Sequence, residues 1–133
     1  MKIEHIAIWC KDLENMRSFY QVYFNARSNQ KYTNAEKGFE SYFLSFDEGS
    51  RLELMKMSTI PDSGVDPYQQ VVGLTHLAFT VGTEKDVDLL TDQLEKDGFE
   101  VLSGPRRTGD GYYEALILDP EGNRVEITAI NDI

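Results

Sequence analysis

Hydrophobic residues change period along this chain, and the changes mark its elements. Ile3-Glu4-His5-Ile6-Ala7-Ile8 alternates as a short strand does, with Ile3, His5 and Ala7 on one face. From Asp12 the spacing becomes helical, with Leu13, Met16, Tyr20 and Tyr23 or Phe24 as the buried stripe of a helix ending near Asn25. Residues 38–46 read as a strand, Asp47-Glu48-Gly49 as a turn and 51–55 as the strand that completes a hairpin. The same succession returns later. A strand at 74–79 precedes a helix from about Thr83 to Gly98 that buries Val87, Leu90 and Leu94, and a second hairpin follows, with strands at 112–118 and 124–128. Its turn, Asp119-Pro120-Glu121-Gly122-Asn123, combines a proline that fixes φ with a glycine free to adopt positive φ.

The succession reflects an internal repeat. Ile3 through Ile8 reads like Leu74-Thr75-His76-Leu77-Ala78-Phe79, and Gly38–Met55 aligns without a gap on Gly111–Thr128 at a constant offset of 73. Gly38/Gly111, Glu48/Glu121, Gly49/Gly122, Arg51/Arg124 and Glu53/Glu126 are identities in that alignment. The chain has 2 histidines, His5 and His76, and they occupy the same place in the repeat. His5 lies 48 positions before Glu53 and His76 lies 50 before Glu126, so a duplicated fold brings two His/Glu pairs into equivalent settings. A glutamate between two large apolar residues on a strand is ordinarily the solvent-facing residue of a half-buried sheet, and a lone histidine is ordinarily structural. Joint recurrence shifts that balance. Two imidazoles and two carboxylates lining a cavity make a mixed nitrogen and oxygen site for Zn, Ni, Co, Fe or Mn.

With 133 residues and 41% hydrophobic content the chain suits one domain, 1–133. Its first module covers about 1–58, a linker containing Pro61, Gly64 and Pro67 covers about 59–70, and a second module covers about 71–133. No apolar stretch approaches the ~20 residues of a membrane-spanning helix, and the amino-terminal residues lack the pattern of a secretory signal. A cytoplasmic location is therefore expected. The single cysteine, Cys10, excludes an intrachain disulfide, and a net charge of −10 argues against nucleic acid and anionic membranes as partners.

From Gly111 through Glu126 the chain resembles the vicinal-oxygen-chelate superfamily, the glyoxalase/bleomycin-resistance/dioxygenase group, and the resemblance extends over nearly the whole sequence. It implies an α+β fold of two βαβββ modules forming a cupped mixed sheet. His5, Glu53, His76 and Glu126 resemble the metal ligands of glyoxalase I, which implies a divalent metal, Zn, Ni or Co before Mn or Fe. The implied activity is that of a metal-dependent lyase or isomerase similar to lactoylglutathione lyase, in which a proton moves next to a carbonyl through a metal-bound enediolate. Glu126, or its symmetry mate Glu53, is then the general base. Other members imply other outcomes: a metal-free small-molecule binding or antibiotic-sequestering protein, a ring-cleaving dioxygenase, an epimerase, or a thiol transferase. The retained four-residue set favours the lyase.

A small-molecule substrate bearing carboxylates needs cations, for which Arg17, Arg51, Arg106, Arg107 and Arg124 are candidates. The 106–111 segment has loop composition and is expected to border the site, with Arg107 and Tyr113 the leading substrate contacts and Tyr42 and Tyr112 further possible lining residues. The resemblance also implies a homodimer. In the glyoxalase I-like arrangement modules from two chains form each site; other relatives pair modules within one chain.

Overall fold

The computed structural model describes residues 1–131 and divides the chain after Gly64 into two compact units. The first contains β1 (His5–Trp9), α1 (Leu13–Phe24), β2 (Arg27–Ser28), β3 (Tyr32–Asn34), β4 (Phe39–Ser45) and β5 (Arg51–Met57). The second contains β6 (His76–Gly82), α2 (Glu84–Lys96), β7 (Val101–Arg107), β8 (Tyr113–Leu118) and β9 (Arg124–Ala129). Both follow the α+β plan implied by the repeat, one strand and one helix leading into an antiparallel meander. In the first unit the strand after the helix is divided into two short pieces, β2 and β3, which pair separately with β4.

In the first sheet the strand order is β1-β5-β4-β2, with β3 also on β4; in the second it is β6-β9-β8-β7. Each opening strand lies at the edge of its sheet and runs parallel to the last strand of its own unit. The parallel register places Ala7 opposite Glu53 and Ala78 opposite Glu126. The two pairs thus occupy equivalent sheet positions.

Local chemistry explains the helix limits. The Asp12 carboxylate accepts from the Asn15 N–H at 3.0 Å, satisfying an amide of the first helical turn, and Asn25 closes α1 in the left-handed conformation. Thr83 and Asp86 form a reciprocal capping box at the start of α2. Two of the repeated glycines have a backbone reason to be glycine: Gly49 and Gly122 turn their hairpins with φ of 88° and 84°.

One face of each sheet packs on its helix. Leu13, Met16, Phe19, Tyr20 and Phe24 of α1 are buried, as are Tyr42, Leu44, Leu52 and Leu54 of the sheet. In the second unit Val87, Thr91 and Leu94 of α2 are buried along with Ala115, Ile117, Val125 and Ile127. Burying one such large aliphatic side chain contributes about 1.5–3 kcal/mol, enough to fix which face of each strand turns inward. The intervening residues, including both candidate glutamates, take the other face. Arg106 and Arg107 belong to β7, not to a loop as their composition led us to expect. Among the described residues no helix is long and apolar enough to cross a membrane.

Candidate metal-binding residues

His5 and Glu53 meet on the open face of the first sheet. The histidine Nε2 is 3.7 Å from Glu53 Oε1, while its Nδ1 is 3.2 Å from Glu4 Oε1. The ring also stands at 80° to Phe43, with centroids 5.3 Å apart. These contacts hold the imidazole from two sides and leave Nε2 directed at the carboxylate. Arg51 binds Glu4 and lies over the Phe43 ring, so this cation is already engaged. Its guanidinium holds the Glu4 carboxyl down at about 2.

The second unit repeats the arrangement more tightly, with His76 Nε2 3.1 Å from Glu126 Oε1. The glutamate side chains are only 16% and 19% exposed, against 40% and 34% for the histidines, so neither carboxylate is an ordinary solvent-facing strand residue. Ligands at bond lengths near 2.0–2.2 Å from a shared ion stand about 2.8–3.6 Å apart at octahedral or tetrahedral angles. The His76/Glu126 separation falls within that range, and the His5/Glu53 separation is slightly wider. The donor chemistry and spacing fit a divalent ion. Among the described residues, however, no three His, Cys, Asp or Glu side chains gather closely enough to hold one. Each unit presents one His/Glu pair.

Glu114 was not among the expected site residues. Its register partner on β9 is Thr128, one step along the same face from Glu126, and its side chain hydrogen bonds to Glu126. Burial first, and then the negative charge of Glu126, push the Glu114 carboxyl above the ordinary carboxylate range. Arg106, its partner on β7, opposes that shift. The pairing of β8 with β9, which a linear sequence does not display, is what brings Glu114 to Glu126.

Arg107 and Tyr113, the expected substrate contacts, both have partners on α2. Arg107 binds Glu84 at the start of α2 and its guanidinium lies 5.7 Å from the centre of the Tyr113 ring. The Tyr113 hydroxyl donates to Asp88 of α2 at 2.6 Å. Both fasten the hairpin to the helix, on the face opposite His76 and Glu126. Arg17 is part of α1 and its guanidinium lies 4.4 Å from the centre of the Tyr42 ring, while Tyr42 donates to Glu14 of the same helix at 2.7 Å. Arg124 donates to the Tyr68 carbonyl at 3.4 Å. Tyr112 is exposed and its N–H is bound by the Thr108 hydroxyl.

The family model described as Glyoxalase/Bleomycin resistance protein/Dioxygenase superfamily matches residues 2–127. The uncharacterized protein YwkD of Bacillus subtilis (strain 168) is 33% identical over 127 residues, covering 94% of each chain. The trypanothione-dependent glyoxalase I of Leishmania major superposes with a TM-score of 0.73 at 22% identity, over 97% of this chain and 86% of that one. A glyoxylase/bleomycin resistance protein/dioxygenase domain from Frankia sp. EAN1pec superposes with a TM-score of 0.80 at 16% identity, over 99% and 93%. At such identities the structural likenesses speak for the fold, while the family match extends over nearly the full sequence. The chain belongs to the glyoxalase/bleomycin resistance protein/dioxygenase superfamily.

Proposed function

We propose that this protein is a metal-dependent lyase or isomerase resembling lactoylglutathione lyase, with His5, Glu53, His76 and Glu126 as the ligands of a divalent ion. The observation that carries the reading is the recurrence of one His/Glu pair at the same register of two duplicated sheets. Zn, Ni or Co suits the nitrogen and oxygen donors best, with Mn or Fe also compatible. When bound, the ion would supply Lewis acidity toward a substrate carbonyl.

The remaining work falls to the side chains. Glu4 steadies His5 through Nδ1, the kind of outer contact that fixes an imidazole ligand's orientation. Glu126 takes the proton from the carbon next to the carbonyl and returns it at the neighbouring carbon. Glu53 is its counterpart in the repeat and holds the opposite side. The hydrogen bond from Glu114 places a second carboxyl group beside that proton acceptor.

A homodimer is part of the proposal, each site drawing one pair from each protomer. Its support is that β1 and β6, which carry the two histidines, are edge strands whose backbone groups are open to pairing. Elemental analysis and calorimetric titration with Ni, Co, Zn, Mn and Fe test the reading, followed by assays of hemithioacetal isomerisation. Stoichiometric uptake that is lost in His5→Ala and Glu126→Ala is expected. Unimpaired uptake in both variants would remove these residues from the ligand set.

A further inference from the structure

The duplicated sheets differ sharply one step along the strand from the His/Glu pairs. In the first unit that row runs Trp9, Met55, Ser41, Tyr32 across four strands. In the second the equivalent row runs Thr80, Thr128, Glu114, Arg106. Met55 corresponds to Thr128 and Ser41 to Glu114 in the repeat, so one ancestral row has become apolar and aromatic while its copy is polar and ionic.

Trp9 is the clearest sign of this. A solvated strand face would ordinarily carry a polar residue there, as the second unit does with Thr80, yet an indole remains 41% exposed. It stands at 88° to Phe39 with centroids 6.0 Å apart, and Tyr32 closes on Phe39 from the other side at 6.1 Å. Met57, opposite Phe39 in the register, and Met55 complete a half-buried floor. Methionine is deformable and makes favourable sulfur contacts with rings, so such a floor suits a planar group. Trp9 is two residues beyond Ala7, the register partner of Glu53, which sets it about 7 Å along the strand from the candidate ligands.

We infer that the Trp9, Phe39, Met55, Met57 and Tyr32 floor is a specificity subsite that seats a planar apolar group of the substrate, most simply an aryl ring attached to the metal-binding oxygens. The inference rests on the proposed site for the position of those oxygens. Continuity with His5 and Glu53 on one sheet face sets the floor beside the position that the proposed site gives to the binding oxygens of a small molecule. The row itself carries no charge, and the nearby Arg51 is already bound to Glu4. It therefore offers nothing to the carboxylates of a peptide thiol and much to a ring.

The chain contains a single tryptophan, so its emission reports on the floor directly. The test compares mandelate with lactate, which share the same two binding oxygens and differ in phenyl against methyl. Metal uptake is measured first on the same full-length sample, then affinities by calorimetry and Trp9 emission by fluorescence. Mandelate should bind about tenfold more tightly than lactate and change the emission, the gain expected from aromatic contact plus burial. Trp9→Thr, which installs the residue of the second unit, should erase the preference, and Trp9→Phe should retain part of it. Equal affinities, or a preference that survives in Trp9→Thr, would overturn the subsite while leaving the metal reading intact. Emission that changes on dilution but not with mandelate would instead make the floor a contact between copies of the chain and would also overturn it. Absence of metal uptake would sink the proposed function, and the response of Trp9 to mandelate in that same sample would still decide the subsite.

Discussion

Glu114 reaches across from β8 to hydrogen bond with Glu126 on β9, placing two carboxyl groups side by side on the open face of the second sheet. Two like charges in a half-buried setting cannot both ionise without cost. Burial is the larger cause of the raised Glu114 value and the charge of Glu126 the next. The folded protein therefore holds a proton on Glu114 to higher pH than the unfolded chain does. The stability linked to that proton is complete below the unfolded value and is lost as pH rises through the folded one. Glu114→Gln, measured in metal-free protein, should raise the melting temperature at pH 8 by a few degrees, the shift roughly 1 kcal/mol produces at this chain length. The difference should vanish toward pH 4. A variant no more stable than the parent at pH 8 would show that the pair carries no such strain.

Glu126→Gln keeps the shape and hydrogen-bonding reach of the side chain and removes its capacity to accept a proton. Under the proposed mechanism turnover should fall by about 10²–10⁴, the usual contribution of a positioned acid or base. Metal uptake should fall much less, because the glutamine amide oxygen can still coordinate where an alanine at the same position cannot. Glu53→Gln serves as the control for which carboxylate moves the proton: an equal loss of turnover would assign the role to both, and a loss confined to Glu53→Gln would transfer it.

Much of the fold is legible because several local signals agree. Asp12, Asn25 and Thr83 sit at the helix limits as caps, and the repeated hairpin glycines stand where the backbone needs positive φ. The strands between helix and hairpin are harder to read. β2 and β3 have only 2 and 3 residues, too few to show alternation, and β7 contains Gly104 and Pro105 within a register that shifts twice against β8. The histidines and glutamates of the proposed site emerge from the repeat alone. Arg107, Tyr113, Glu114 and Trp9 do not, since their roles depend on which face of a paired strand they occupy. Trp9 did carry a signal in its alternation with His5 and Ala7; Glu114 becomes visible only once β8 is paired with β9.

On the helix side of the first sheet, Lys31 binds Glu14 at 2.8 Å and Tyr42 donates to the same carboxylate at 2.7 Å. The Lys31 contact is the main reason that the Glu14 carboxyl lies below its ordinary value, with Tyr42 second. A depressed carboxyl contributes stability that is present above its unfolded pKa and is lost as pH falls through the folded one. Glu14→Gln should therefore be less stable than the parent at pH 7, by no more than about 1 kcal/mol because the group is half exposed and screened. Urea unfolding at pH 7 and pH 3 checks this, and a gap of equal size at both values would remove ionisation from the explanation.

The proposed dimer makes a prediction that a site formed within one chain does not. His5→Ala and His76→Ala each damage a different half of the ligand set, and each variant alone should lose metal uptake. If every site takes one pair from each protomer, a mixed dimer of the two variants holds one site carrying both lesions and one carrying none. Refolding an equimolar mixture should then give about half of the protein as mixed dimer, with one intact site in each. Elemental analysis should find recovered metal approaching a quarter of the parent level. With pairs drawn from a single chain every site in the mixture retains one lesion, and no recovery occurs. The sedimentation profile of the same mixture separates failure to exchange protomers from failure of the shared site, provided one variant carries a mass tag. Recovery in the mixed species would establish that the two halves of the repeat complement one another between chains, whereas a mixed dimer without metal would confine the ligand set to one protomer.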